Sequence, residues 1–176
     1  MRIGIKLVIL CLTATARLNA QQVVNPVVTS SKEIYARQSV FITAAVEQMP
    51  ANKFSFHPTP DQWTFGKIVA HVALANDHVC AMLTDEPAPD GTSVSEVSPK
   101  EVLAVALKTS FDYCEKALDA LQDSQLGDTI TYFGGVKKPR ARALVELTDD
   151  LEDHYSQMAM YLRLGGMLPP SAKPKK

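Results

Sequence analysis

TFGKIVAHVALANDHVCAML, residues 64–83, and ELTDDLEDHYSQMAMYLR, residues 146–163, decide the fold of this chain. In each, apolar residues recur at helical spacing, and side chains of the metal-ligating type fall on the stripe that faces inward. The first stretch carries His71. In the second, Asp150 and His154 stand one helical turn apart on one face, the spacing by which a helix offers two ligands to one ion. Two such helices supply three ligands and leave a coordination position open.

Outward from these stretches the pattern stays helical. Ile34, Gln38, Phe41, Ile42, Ala45, Val46 and Met49 predict a first helix, with Ser30 or Ser31 as N-cap and Pro50 as stop. ANKFSFHPTPDQWT, residues 51–64, reads as an ordered loop, because Phe54, Phe56 and Trp63 need apolar surroundings. Thr64 caps the second helix. A proline-rich crossover follows, and Ser98, Pro99 and Glu101 predict a third helix opened by a capping box. Its stripe is Leu103, Ala106, Leu107, Phe111, Cys114, Leu118 and Leu121. DTITYFGGVKKPR, residues 128–140, predicts a short extended loop or hairpin before the fourth helix, which ends at Gly165 and Gly166. The expected architecture is all-α: a four-helix bundle over residues 30–166 with long crossover loops, behind a tether at 21–29 and ahead of a flexible tail at 167–176.

The 176 residues suffice for one domain with a substantial core. Residues 1–20 read as an export signal, with Arg2 and Lys6 ahead of the apolar LVILCLTATA; cleavage fits after Ala20 or after Ala16. The apolar run is too short for a stable membrane anchor. Export implies a periplasmic or extracellular protein. The whole chain carries 18 basic and 19 acidic residues, and removal of Arg2, Lys6 and Arg17 leaves the mature protein mildly acidic. That balance argues against a nucleic-acid partner. Lys137, Lys138, Arg140 and Arg142 read as a solvated basic loop, and Lys173, Lys175 and Lys176 as a frayed end. If the second and third helices run antiparallel, Cys80 and Cys114 fall several turns apart, and both are expected to be buried free thiols rather than a disulfide.

PTPDQWTFGKIVAHVALAN around His71, YFGG in the last crossover and DHYSQMAMYLRLGGMLPP in the last helix resemble the DinB/YfiT-like superfamily of metal-binding four-helix bundles over roughly Ser30 to Pro170. The resemblance implies a divalent ion held by three histidines, one on the second helix and two spaced by four on the last. Carried over, these positions are His71, Asp150 and His154, so this chain departs from the pattern at Asp150. Two histidines and a carboxylate still suit zinc, nickel, iron or manganese, although the carboxylate makes the ion less Lewis-acidic. The alternative is that both histidines hydrogen-bond Asp150 across the core with no ion. His78, two turns beyond His71, is a candidate for a fourth ligand, a proton shuttle or a rim residue. Gln157 is a candidate donor to a ligand. His57 is expected to be exposed, and Trp63, Tyr132 and Tyr155 to be core or pocket wall.

Two functions follow. One is a metal-dependent hydrolase or thiol-type transferase acting on a small-molecule substrate; the resemblance implies thiol-dependent transferases and a maleylpyruvate isomerase among characterised members. The other is a non-enzymatic ligand-binding or stress-associated bundle. A homodimer through helix faces is expected with either.

Overall fold

The computed structural model describes residues 23–89 and 94–172; the expected signal segment lies outside them. Four long helices make the body: α1 (Pro26–Gln48), α2 (Phe65–Thr84), α3 (Lys100–Ala120) and α4 (Arg140–Leu164). β1 (Thr129–Thr131) and β2 (Lys137–Pro139) form an antiparallel hairpin, with Ile130 opposite Lys138, between α3 and α4. The all-α four-helix bundle expected from periodicity is the fold observed. Ile42, Val46, Ile68, Val72, Leu103, Leu107, Leu118, Leu144, Leu147, Leu151 and Met158 are all buried in one core, as their helical stripes require.

Helix directions follow from cross-contacts. The Tyr35 hydroxyl donates to the Phe111 carbonyl (2.6 Å), while Lys100 at the start of α3 reaches the Met49 carbonyl at the end of α1 (2.8 Å), so α1 and α3 are antiparallel. Arg37 pairs with Glu152 (2.8 Å) and Phe41 stacks on Tyr155 (5.1 Å), so α1 and α4 are parallel. Phe65 faces Tyr161, and Arg140 reaches Leu83, so α2 and α4 are antiparallel. Asn76 donates to Ser110 (3.1 Å) and Cys80 bonds to Cys114, so α2 and α3 run in the same direction. The order up, down, down, up needs a crossover as long as the bundle. The connection from α2 to α3 is long enough for it, since about fifteen residues can reach up to on the order of 50 Å, against about 30 Å for α2. The returning crossover passes against Gly66, where a Cβ would lie 2.8 Å from the Glu96 carbonyl oxygen. Only glycine fits there.

This parallel arrangement corrects the expectation of free thiols. Cys80 and Cys114 form a disulfide with a Cα separation of 5.3 Å, both fully buried. The expectation failed because it took consecutive helices to be antiparallel.

Three boundaries also differ. α1 begins at Pro26, inside the expected tether, because the Asp123 carboxylate accepts from the Val27 and Val28 amides (3.0 and 2.9 Å) and serves as a cap from a distant segment. The capping box at Ser98 does not form: Pro99 is the N-cap, and the Ser98 hydroxyl accepts from the Ser95 amide (3.0 Å). The first part of the expected flexible tail packs on the bundle, with Gln48 donating to the Leu168 carbonyl (2.9 Å) and the Ser171 amide to the Tyr155 hydroxyl (2.8 Å). Gly166, at φ 75°, closes α4 as expected, while the Met167 amide bonds back to Leu162 (2.9 Å).

Arg140 is not part of a solvated loop. It is 5% exposed, and its guanidinium donates to the Met82 and Leu83 carbonyls at the end of α2 and to Asp85 (2.6 Å). It thereby satisfies the last carbonyls of α2 from the first residue of α4.

Two measurements check these features. Denatured without reductant, the protein should leave Cys80 and Cys114 unlabelled by a maleimide, and the Cys80→Ala/Cys114→Ala double variant should lose about 4 kcal/mol of stability for a loop of this span; labelling of both cysteines would contradict the bridge. Arg140→Ala should lower the urea midpoint at unchanged slope by an amount equivalent to about 2–3 kcal/mol, because buried carbonyls and Asp85 lose a charged donor.

Candidate metal centre

The site is assembled from α2 and α4 at their antiparallel contact. Thr64 starts α2 by accepting from the Lys67 amide (3.0 Å), which fixes the register that turns His71 toward α4. Asp150 and His154 lie on the facing stripe of α4, flanked by the buried Leu147, Leu151 and Met158. His71 Nε2 lies 3.2 Å from Asp150 Oδ1, and His154 Nε2 lies 3.3 Å from the same oxygen. The two imidazole centroids are 4.7 Å apart. One ligand atom from each of the three residues falls within 4.8 Å of the others, a cluster that can hold one ion.

Burial is graded across the cluster. The His154 side chain is 8% exposed, Asp150 19% and His71 38%, so the site opens on the His71 side. Burial by itself pushes the Asp150 carboxyl upward; the hydrogen bonds and charge of His154 and His71 more than offset this and bring it down to about 2. It is therefore an anion at neutral pH, as a metal ligand must be.

The residues present fit a divalent ion. In tetrahedral coordination at roughly 2.0–2.1 Å, ligand atoms stand about 3.3 Å apart, which matches the two separations to Asp150 Oδ1. Asp150 Oδ2 and His154 Nδ1 are buried and, among the described residues, lack a hydrogen-bond partner. An orphaned carboxylate oxygen beside two imidazoles is chemically suited to a cation.

The remaining candidates sit farther out. Gln157 donates to Asp153 (2.8 Å), whose Oδ2 is 4.0 Å from His154 Nδ1, so it reaches the triad only through Asp153. His78 is exposed and outside the cluster. His57 is exposed in the proline loop, its Nδ1 2.6 Å from the Thr59 carbonyl.

Trp63, expected to be core or pocket wall, is part of the wall and lies directly against the triad. Its ring lies nearly parallel to that of His154 (5.8 Å, 16°) and tilts against His71 (5.0 Å). The Tyr161 hydroxyl holds the Trp63 carbonyl (2.8 Å), and Phe54 and Phe56 pack the loop before it against Phe65 and Tyr161. The only advance signal was the apolar content of that loop. Lys67 was missed: its ammonium lies over the Trp63 ring at 4.8 Å. A cleft of about 450 Å³ runs from Trp63 and Lys67 past His71 to Leu74, Val94 and Glu96. A larger groove of about 700 Å³ lies between α1 and α3, away from the triad.

A model of the DinB superfamily matches residues 37–158. No functionally curated protein matches. Among solved structures, a conserved protein from Enterococcus faecalis shares 21% identity at a TM-score of 0.64, over 78% of this chain and 96% of its own. A DinB-like protein from Bacillus subtilis shares 16% at 0.66, over 82% and 99%. The mycothiol-dependent maleylpyruvate isomerase shares 14% at 0.62, over 74% of this chain and 60% of the enzyme. At these identities the likeness is one of fold. With a family model covering more than half of its length, this chain belongs to the DinB superfamily.

Proposed function

We propose that this protein is an exported, divalent-metal-dependent hydrolase or transferase whose ion is held by His71, Asp150 and His154. The carrying observation is the convergence of the three side chains at the wall of an accessible cleft, with the most exposed of them, His71, facing it. A divalent ion there supplies Lewis acidity and lowers the pKa of a bound water or thiol toward neutrality. Asp150 keeps its negative charge throughout the neutral range and orients both imidazoles through one oxygen. Trp63 stacks on the His154 ring, on the more buried side of the cluster.

Export is supported by the buried Cys80–Cys114 disulfide, a bond characteristic of oxidising compartments, together with the signal-like residues 1–20. Two solved neighbours are mycothiol-dependent maleylpyruvate isomerase structures, which makes a thiol-linked transfer a relevant comparison. An oxidising compartment weighs against a low-molecular-weight thiol as co-substrate and toward water as nucleophile. The second reading is a binding module without metal, favoured by the fact that His71 already hydrogen-bonds Asp150 and His154 lies within ion-pair distance of the same oxygen.

Metal content separates the two readings. Protein stripped with a chelator and reloaded should bind one equivalent of zinc, nickel, iron or manganese. His154→Ala should lose it. Asp150→Ala should weaken affinity by more than about 10-fold, because losing a direct ligand costs at least as much as losing a group that merely orients one. Asp150→His should retain binding. Failure of all four ions to bind the folded wild-type protein would leave the binding-module reading.

A further inference from the structure

The cleft beside His71 has a composition that the triad does not explain. One wall is apolar: Trp63 is 36% exposed and Leu74 37% exposed, and Val94 closes the far side from the crossover. Exposed large apolar side chains that line a concavity of ligand size, rather than scattering over a surface, indicate a recognition site. At one end stands Lys67, the one cation lining the cleft among the described residues, one turn before His71 on α2. Among the described residues no carboxylate pairs with it; its recorded partner is the Trp63 ring. Lys67 is half-buried, and its ring contact occupies only the side of the ammonium that faces Trp63, whereas its N–H groups can make charge-assisted hydrogen bonds to an anion. An incoming anion can therefore take the ammonium's donors while the aromatic face keeps the ammonium close to the cleft mouth.

We propose that this cleft is the substrate subsite and that it takes a small carboxylate with an apolar body: the carboxylate on Lys67, the body along Trp63, Leu74 and Val94, and the adjoining atoms facing His71. The assignment rests on the reading of the triad as the reactive centre, but its own evidence is the cleft. Glu96, the one acid on the rim among the described residues, sets the opposite expectation, a cationic ligand, and so defines the test.

The chain has one tryptophan, Trp63, so intrinsic fluorescence reports on this wall. Octanoate, octan-1-ol and octylamine are titrated into the full folded protein, metal-free and zinc-loaded, for the wild type, Lys67→Gln and Lys67→Arg. In the metal-free protein, where no ion competes for the carboxylate, octanoate should saturate in the millimolar range and bind more tightly than either comparator. Lys67→Gln should weaken octanoate about 10-fold or more and leave octan-1-ol unchanged within about twofold; Lys67→Arg should restore most of the loss. Absence of saturable octanoate binding, an octanoate affinity indifferent to Lys67→Gln, or tighter binding of octylamine each overturns the proposal. A Lys67-dependent response in a protein that binds no zinc would keep the subsite and remove the metal reading. Zinc binding with no Lys67 dependence would do the reverse.

Discussion

The relative direction of the helices is the constraint on which the rest depends. α3 starts at the same end of the bundle as α2 and runs beside it, and α1 and α4 complete the ring in the opposite sense. The antiparallel contact of α2 with α4 brings His71 opposite Asp150, and the parallel contact of α2 with α3 brings Cys80 opposite Cys114. The cysteines would not meet if α2 and α3 were antiparallel, because Cys80 lies near the end of α2 and Cys114 well inside α3. The topology is held at its corners by polar devices: Arg140 on the end of α2, Asp123 on the start of α1, and Lys100 on the end of α1. Each joins a helix terminus, where backbone groups lack internal partners, to a segment distant in sequence.

Within that frame, a charged carboxylate is kept in a partly buried helix interface. Such placement is costly unless the charge is paired. Here two imidazoles share one Asp150 oxygen, and the other oxygen has no partner among the described residues. Core stability alone would be served as well by an apolar side chain at residue 150. The unsatisfied atom, the exposure of His71 and the adjoining cleft together indicate a site shaped for something that binds. Trp63 then has a double role: it packs over both histidines and forms the wall of the approach.

Helix existence and the inward-facing triad were legible in the sequence because they rest on local periodicity: i, i+4 spacing puts Asp150 and His154 together whatever the rest of the chain does. The meeting of His71 with that pair depended on tertiary contact and was reached through the family resemblance. What was illegible was non-local. The direction of α3 depends on how the crossover is used, and the crossover's length was the overlooked clue. The start of α1 depends on Asp123, almost a hundred residues away. Arg140, adjacent to two lysines, looked like surface charge until the carbonyls at the end of α2 were seen to converge on it.

The central claim is that this DinB-superfamily bundle holds a metal through two histidines and a carboxylate. X-ray absorption at the zinc edge of the loaded full-length protein tests it most directly. The account predicts a shell of nitrogen and oxygen only, at about 2.0–2.1 Å, with outer scattering from two imidazoles. A sulfur shell near about 2.3 Å, or the absence of imidazole scattering, would contradict it.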